Sequence, residues 1–310
     1  MDSRADELVE GPRGRRMLYE LSNVETLRGA LGLSVDWARY WQEPDETDRM
    51  LEEPDFVGPL RAVAAQVAAA PEAQWLWDPA APEQFVTHWF ETDPYTRRER
   101  EPRPLDPTTI PADLERWKRE ADADEVSFRE SREADPASRV SGAWWSLPQY
   151  VGVWSSPALG RLGPAALHFV EDGMDFTHAR VWPVSVRPGA RIVEIDGPDA
   201  WAELCRRHPF DVSESRRTVW EWTTGRDGRW VLPDWPAVAR EWDAVHVTGA
   251  GYLRTAGRAI AVDGETATVL AGWEPGQTAW LTDAFEVTGP AVEWVAEPAD
   301  DCGFDWKPIG

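Results

Sequence analysis

The stretch "RVSGAWWSLP", residues 139–148, brings an arginine, two adjacent tryptophans and a serine close together. Read as a strand over 141–147, it places Trp144 and Ser146 on one face and Trp145 on the other. One indole would pack into the core and the other would wall a pocket beside the Ser146 hydroxyl. An aromatic wall with a hydroxyl suits a flat, hydrogen-bonding ligand such as a nicotinamide or a nucleobase. Arg139, upstream, would meet a phosphate. The competing reading is an edge strand whose second tryptophan lies under the acidic helix before it.

Other residues offer less. In "DAVHVT" the alternation sets Val245 and Val247 on one face and His246 on the other, where it would project into a cleft or into solvent. Cys205 stands one helical turn before His208, but both share the apolar face of Trp201 and Leu204, which marks a buried structural thiol. His168, Asp172 and His178 can be drawn as a metal site, yet Asp172 reads equally well as a turn residue before Gly173. No metal is therefore expected. Phosphate-loop, dinucleotide-binding, nucleophile-elbow and zinc-protease motifs are all absent from the sequence.

Composition narrows the function classes. With 310 residues and 42% hydrophobic content, the chain can bury one large core or two ordinary ones. A net charge of −23 repels phosphate backbones, and the best basic cluster, Arg97, Arg98 and Arg100, is interleaved with Glu99 and Glu101. Nucleic acid is not an expected partner; a small molecule or a basic protein is. Lys118 and Lys307 are the only lysines, so the cations are nearly all arginine, suited to bidentate carboxylate or phosphate contacts. Two cysteines exclude a disulfide scaffold. The charged start of the chain and the short, alanine-rich run "LRAVAAQVAAA" give neither a signal peptide nor a membrane span, so the cytoplasm is the expected location. Twenty tryptophans imply an indole-heavy core.

The elements that must position these residues divide at about residue 137. Residues 1–16 read as polar and frayed, and 17–134 as mainly helical, with Pro59 opening a helix that carries Leu60, Val63, Ala64 and Val67. Residues 91–111 read as an irregular connection. A charged helix follows, with a thin stripe of Leu114, Trp117 and Ala121. Residues 138–310 turn to short β-branched strands, with tight turns at Asp263-Gly264 and Asp227-Gly228 and two short helices, "PDAWAELCRR" and "PDWPAVAREW". The expected fold class is α+β: a helical N-terminal part, 1–137, then a mixed or antiparallel sheet region, 138–310, with a few short helices.

The segments "SGAWWSLP", "ARVWPV", "EIDGPDAW", "TTGRDGRWVLPDW", "WDAVHVTGAGYL" and "VLAGWEPGQTAWLTD" resemble a tryptophan-rich protein family common in actinomycetes, over roughly residues 138–285. That resemblance implies no activity. The order Arg139 then Ser146 at the start of the β-rich region is similar to ADP-ribosyltransferase-like domains. This likeness implies a split-sheet fold and NAD as substrate. Arg139 would hold the pyrophosphate, and Ser146 with the Trp144/Trp145 wall would hold the nicotinamide. A carboxylate would stabilise an oxocarbenium-like transition state. No E-x-E or Q-x-E element occurs in a late strand. Glu171 is the first choice for the carboxylate, with Glu194 and Glu274 as rivals and His246 as a further candidate. The expected function is an NAD-binding transferase-like or NAD-glycohydrolase-like enzyme. The alternative is a non-catalytic acidic, immunity-type protein that captures a basic partner by charge steering and aromatic anchors.

Overall fold

The computed structural model describes residues 3–92, 99–137, 139, 142–148, 153–171, 176–298 and 304–309. The chain folds as α+β, with helices first and mixed sheets after them. Five helices open it: α1 (Ser3–Glu10), α2 (Pro12–Glu20), α3 (Leu27–Asp36), α4 (Glu46–Glu52) and α5 (Pro54–Ala69).

The first two replace the fraying expected of residues 1–16. Leu8, Val9, Met17 and Leu18 are buried, and so are Arg13 and Arg16. Arg13 reaches Asp48 at 2.9 Å, while Arg16 reaches Glu20 at 2.7 Å and Asp45 at 3.1 Å. Close pairing offsets the desolvation of these guanidinia, so a polar sequence becomes interior. In α5, Leu60, Ala64 and Val67 are buried at helical spacing. The helix begins at Pro54, which puts Pro59 inside it rather than in its first turn.

The main sheet has nine strands among the described residues. Eight run in the spatial order Phe304–Ile309, Val292–Pro298, His178–Val186, Glu83–Trp89, Val153–Ser156, Thr278–Trp280, Ala244–Val247 and Ile192–Ile195, and Phe285–Val287 pairs with His178–Val186. Only the Ile192–Ile195/Ala244–Val247 pair is parallel. Glu83–Trp89 comes from the helix-rich half yet lies mid-sheet, so the sheet draws strands from both sides of the compositional change at residue 137. A smaller mixed sheet orders Ile260–Ala261, Thr266–Thr268, Arg229–Pro233 and Pro209–Asp211. The Asp263-Gly264 hairpin forms with Asp263 Oδ1 accepting the Glu265 and Thr266 amides, and Gly264 is not in a left-handed conformation. Asp227-Gly228 instead links a helix to a strand.

The remaining helices are α6 (Ile110–Ala134), α7 (Pro198–Arg207), α8 (Ser213–Thr224), α9 (Trp235–Ala239) and α10 (Gly249–Thr255). α6 buries Ile110, Leu114, Trp117 and Ala121 along one stripe and adds Glu125. That carboxylate accepts the backbone N–H groups of Glu214 at 2.9 Å and Ser215 at 3.0 Å, capping α8, whose own N-cap residue provides no side-chain bond. α7 and α9 bury Trp201 and Trp235, which pack with Trp273 at centroid distances of 5.9–6.2 Å. The indole-heavy core is thus real. One contiguous cluster joins residues from α1 through Phe285.

Candidate functional site

Ser146 is fully buried, and its hydroxyl is saturated. It donates to the Ala271 carbonyl at 3.0 Å and accepts the Ala271 amide and the Trp273 indole N–H, each at 3.0 Å. Its own amide also bonds Ala271 O at 2.9 Å. The residue is a clip between residues 144–148 and 271–273, and no lone pair is left for a ligand.

Residues 142–148 do not form a strand, so strand alternation does not govern the two indoles. They lie side by side, with centroids 4.6 Å apart and planes 31° apart. Trp144 packs on Tyr40 and Trp41 at 5.7 Å and 4.9 Å. Gly272, at φ +77°, lets Trp145 and Leu147 approach so closely that a Cβ there would meet Trp145 Cδ1 at 2.7 Å. The expected split, one ring inward and one beside the serine, is replaced by a half-buried pair with the serine sealed beneath.

His246 is buried, neither in a cleft nor in solvent, because every residue of Ala244–Val247 is covered. Its Nδ1 stands 2.8 Å from Thr278 Oγ1 on the neighbouring strand, and Nε2 stands 3.9 Å from Glu194. Burial pushes the imidazole down to about 4, so it is neutral near pH 7. Glu194 is raised by the same cause and accepts the Ala80 amide at 3.1 Å. Cys205 is buried and pushed up to about 12, which makes it an inert thiol. Asp172 lies outside the described residues, and among those described no His, Cys, Asp and Glu group could hold a metal ion.

Two constellations remain. The first is interior. Tyr40 and Tyr252 are fully buried with their hydroxyls 3.4 Å apart. Burial raises both well above the ordinary phenol range, so both hydroxyls stay protonated, and the charges of Arg13 and Glu171 act on each. Glu274 also acts on Tyr252. Protein surrounds the Glu274 carboxyl, although part of the residue stays solvent-accessible, and desolvation pushes it up to about 8. It sits between the left-handed glycines Gly272 and Gly276, which wedge against Trp145 and Pro157. Glu171 and Glu274, two of the three carboxylates picked out in the sequence, thus flank one tyrosine pair. Ser146 and Arg139 do not join them.

The second is a cavity of about 1040 Å³ between α2, the connection from α3 to α4, the C-terminal end of α8 and residues 257–259. Six arginines line it: Arg13, Arg15, Arg39, Arg49, Arg139 and Arg258. Four are paired, Arg13 with Asp48, Arg49 with Glu43, Arg139 with Glu221 and Arg258 with Glu10. Among the described residues Arg15 and Arg39 form no ion pair, although the charges of Glu52 and Asp48 act on Arg15. Arg15 donates to the Val9 and Glu10 carbonyls, its Nε is buried without a partner, and desolvation lowers its pKa. Arg39 holds a left-handed backbone, φ +38°, unusual for a non-glycine residue, and its guanidinium lies 4.0 Å over the Trp37 ring. Arg16 lies 5.1 Å from the same ring, so two cations stand against Trp37. Arg139, exposed, sits 5.9 Å from the Trp222 ring at the cavity wall.

Fold and site together define an α+β protein of strongly negative net charge with one cavity walled by six arginines and six carboxylates, of which Arg39 has no carboxylate partner among the described residues. Protein-family models, curated proteins and solved structures yield no match to the chain. Of the expected site residues, only Arg139 lines this cavity. Arg15 and Arg39 carried no sequence signal beyond the bias for arginine over lysine. The exposed large hydrophobics among the described residues include no tryptophan, so the indole anchors expected of a partner-capturing surface are not among them. No helix among the described residues is long and apolar enough to cross a membrane.

Proposed function

We propose that the protein binds a nucleotide-type anion, NAD in the first instance, in the arginine-lined cavity, and acts on its N-glycosidic bond as an ADP-ribosyltransferase-like or NAD-glycohydrolase-like enzyme. The observation that carries this reading is Arg39, a guanidinium with no carboxylate partner among the described residues, lining a cavity of about 1040 Å³ in a chain of net charge −23, with Arg15 beside it in no ion pair although the charges of Glu52 and Asp48 act on it. Unpaired guanidinium suits a pyrophosphate. The strained backbone of Arg39 has the character of a functional position. Arg139 keeps the phosphate-facing role inferred for it, with Trp222 rather than Trp144 or Trp145 as the neighbouring ring. Glu52 is the wall carboxylate that forms no ion pair among the described residues, although its charge acts on Arg15, and it becomes the first choice to face the ribose and stabilise positive charge developing there.

Isothermal calorimetry with NAD, ADP-ribose and AMP at low salt tests the binding, and release of nicotinamide tests the chemistry. Saturable binding that weakens at least tenfold in Arg39→Gln supports the reading. Absence of binding at millimolar ligand removes it. Capture of a basic protein draws support from the net charge alone, and a salt-sensitive partner in a pull-down, with no nucleotide binding, would favour it instead.

A further inference from the structure

A second cavity, of about 510 Å³, lies on a different part of the molecule and does not depend on the nucleotide reading. Three segments distant in sequence build it: the start of α3, the 3-10 turn Pro71–Trp77, and residues 158–162 with Phe169. Its walls are Leu27, Leu31, Leu159 and Leu162, and its base is Trp75 stacked on Phe169, with centroids 5.7 Å apart and planes only 10° from parallel.

The cavity is preformed. Leu159 N donates to Gly163 O at 2.8 Å, Ala158 and Pro164 form a β-bridge, and the His168 Nε2 stands 2.9 Å from Leu162 O. Leu162 keeps 39% of its surface exposed, so this wall is accessible to a ligand.

The charges at the mouth choose the ligand's sign. The N-terminus of α3 is already satisfied by Thr26 Oγ1, which accepts the Gly29 amide at 3.0 Å, and Arg28 is bonded to Asp305 at 2.9 Å. Glu25 and Glu72 line the cavity from two segments distant in sequence, are exposed, and form no ion pair among the described residues. Two carboxylates lining a cavity with an indole and leucines attract a cation with an apolar body, by ion pairing and by burial of that body against the wall.

We propose that this cavity binds a small organic cation, a primary ammonium joined to an aromatic or branched aliphatic body, with Glu25 and Glu72 holding the charge and Trp75, Leu159 and Leu162 the apolar part. Calorimetry with tryptamine as probe, against indole-3-acetate and indole-3-ethanol as anionic and neutral counterparts of similar shape, tests it on the full chain. Tryptamine is expected to bind at least tenfold more tightly than either counterpart. The double variant Glu25→Gln/Glu72→Gln should remove most of that preference, and Ala158→Trp, a substitution at an exposed rim position, should block all three. Equal binding of the three probes, no binding of any, or a preference that survives the double variant would overturn the proposal. NAD titration of the same variants is expected to be unchanged, so failure at one cavity is distinguishable from failure at the other.

Discussion

Replacing Glu274 by glutamine should stabilise the protein by an amount that grows as pH rises from about 4.5 to about 8 and then levels off. The Glu274 carboxyl is pushed up to about 8 by desolvation, against an ordinary 4.5, so the folded state holds this proton more tightly than the unfolded chain. Stability from that preference is complete below about pH 4.5 and is lost as pH rises through about 8. At 1.36 kcal/mol per pH unit the gap sets an upper bound of about 5 kcal/mol. Part of the residue still meets solvent, so screening brings the expected loss to about 2–3 kcal/mol. Glutamine keeps the shape and cannot ionise. Urea unfolding followed by tryptophan fluorescence at pH 5, 7 and 9 reads the difference, since one contiguous core spans both halves of the chain and should unfold as a unit. Glu274→Gln should match wild type at pH 5 and exceed it by about 2 kcal/mol at pH 9. A stability change between pH 5 and 9 that is the same in the variant as in the wild type would show that Glu274 is ionised and solvated near pH 7, and the argument from its burial would fall.

His246 gives the opposite slope. Its folded value of about 4 lies below the ordinary 6.5, so the unfolded chain binds this proton more readily and stability falls as pH drops from about 6.5 to about 4, by roughly 3 kcal/mol. His246→Gln should flatten this acid limb in the same denaturation series, and an acid limb that persists unchanged would refute the assignment. Ser146→Ala should cost about 2–3 kcal/mol, because the buried Ala271 amide and Trp273 indole N–H lose their acceptor. The same variant should leave ligand binding intact, and loss of binding with native stability would restore a functional role to the serine.

The helix α6 and much of the β-rich half were legible because local signals and tertiary demand agree there. The α6 stripe, the Asp234 cap of α9 and the Asp263 hairpin each follow from residues adjacent in sequence. The first sixteen residues were misread because their helices depend on Asp45 and Asp48, distant acids that pair with Arg13 and Arg16. Strand Glu83–Trp89 was missed because it lies within helix-rich sequence and gains its place from partners near residues 155 and 182. The serine, arginine and tryptophans of 139–148 were visible as types, but their roles depended on whether that stretch extended. Without strand geometry the hydroxyl turned to the backbone of 271 and the indoles to each other. Arg39 became notable only once its neighbours were known, since its lack of an acidic partner and its left-handed backbone belong to the folded chain.

The most direct test of the functional account is the calorimetric titration of NAD into wild-type protein and Arg39→Gln, with Arg15→Gln alongside, at low and moderate salt. The account predicts one saturable site in the wild type, weakened at least tenfold by either substitution and by added salt. Heats indistinguishable from dilution at millimolar NAD, or equal binding by all three proteins, would contradict it.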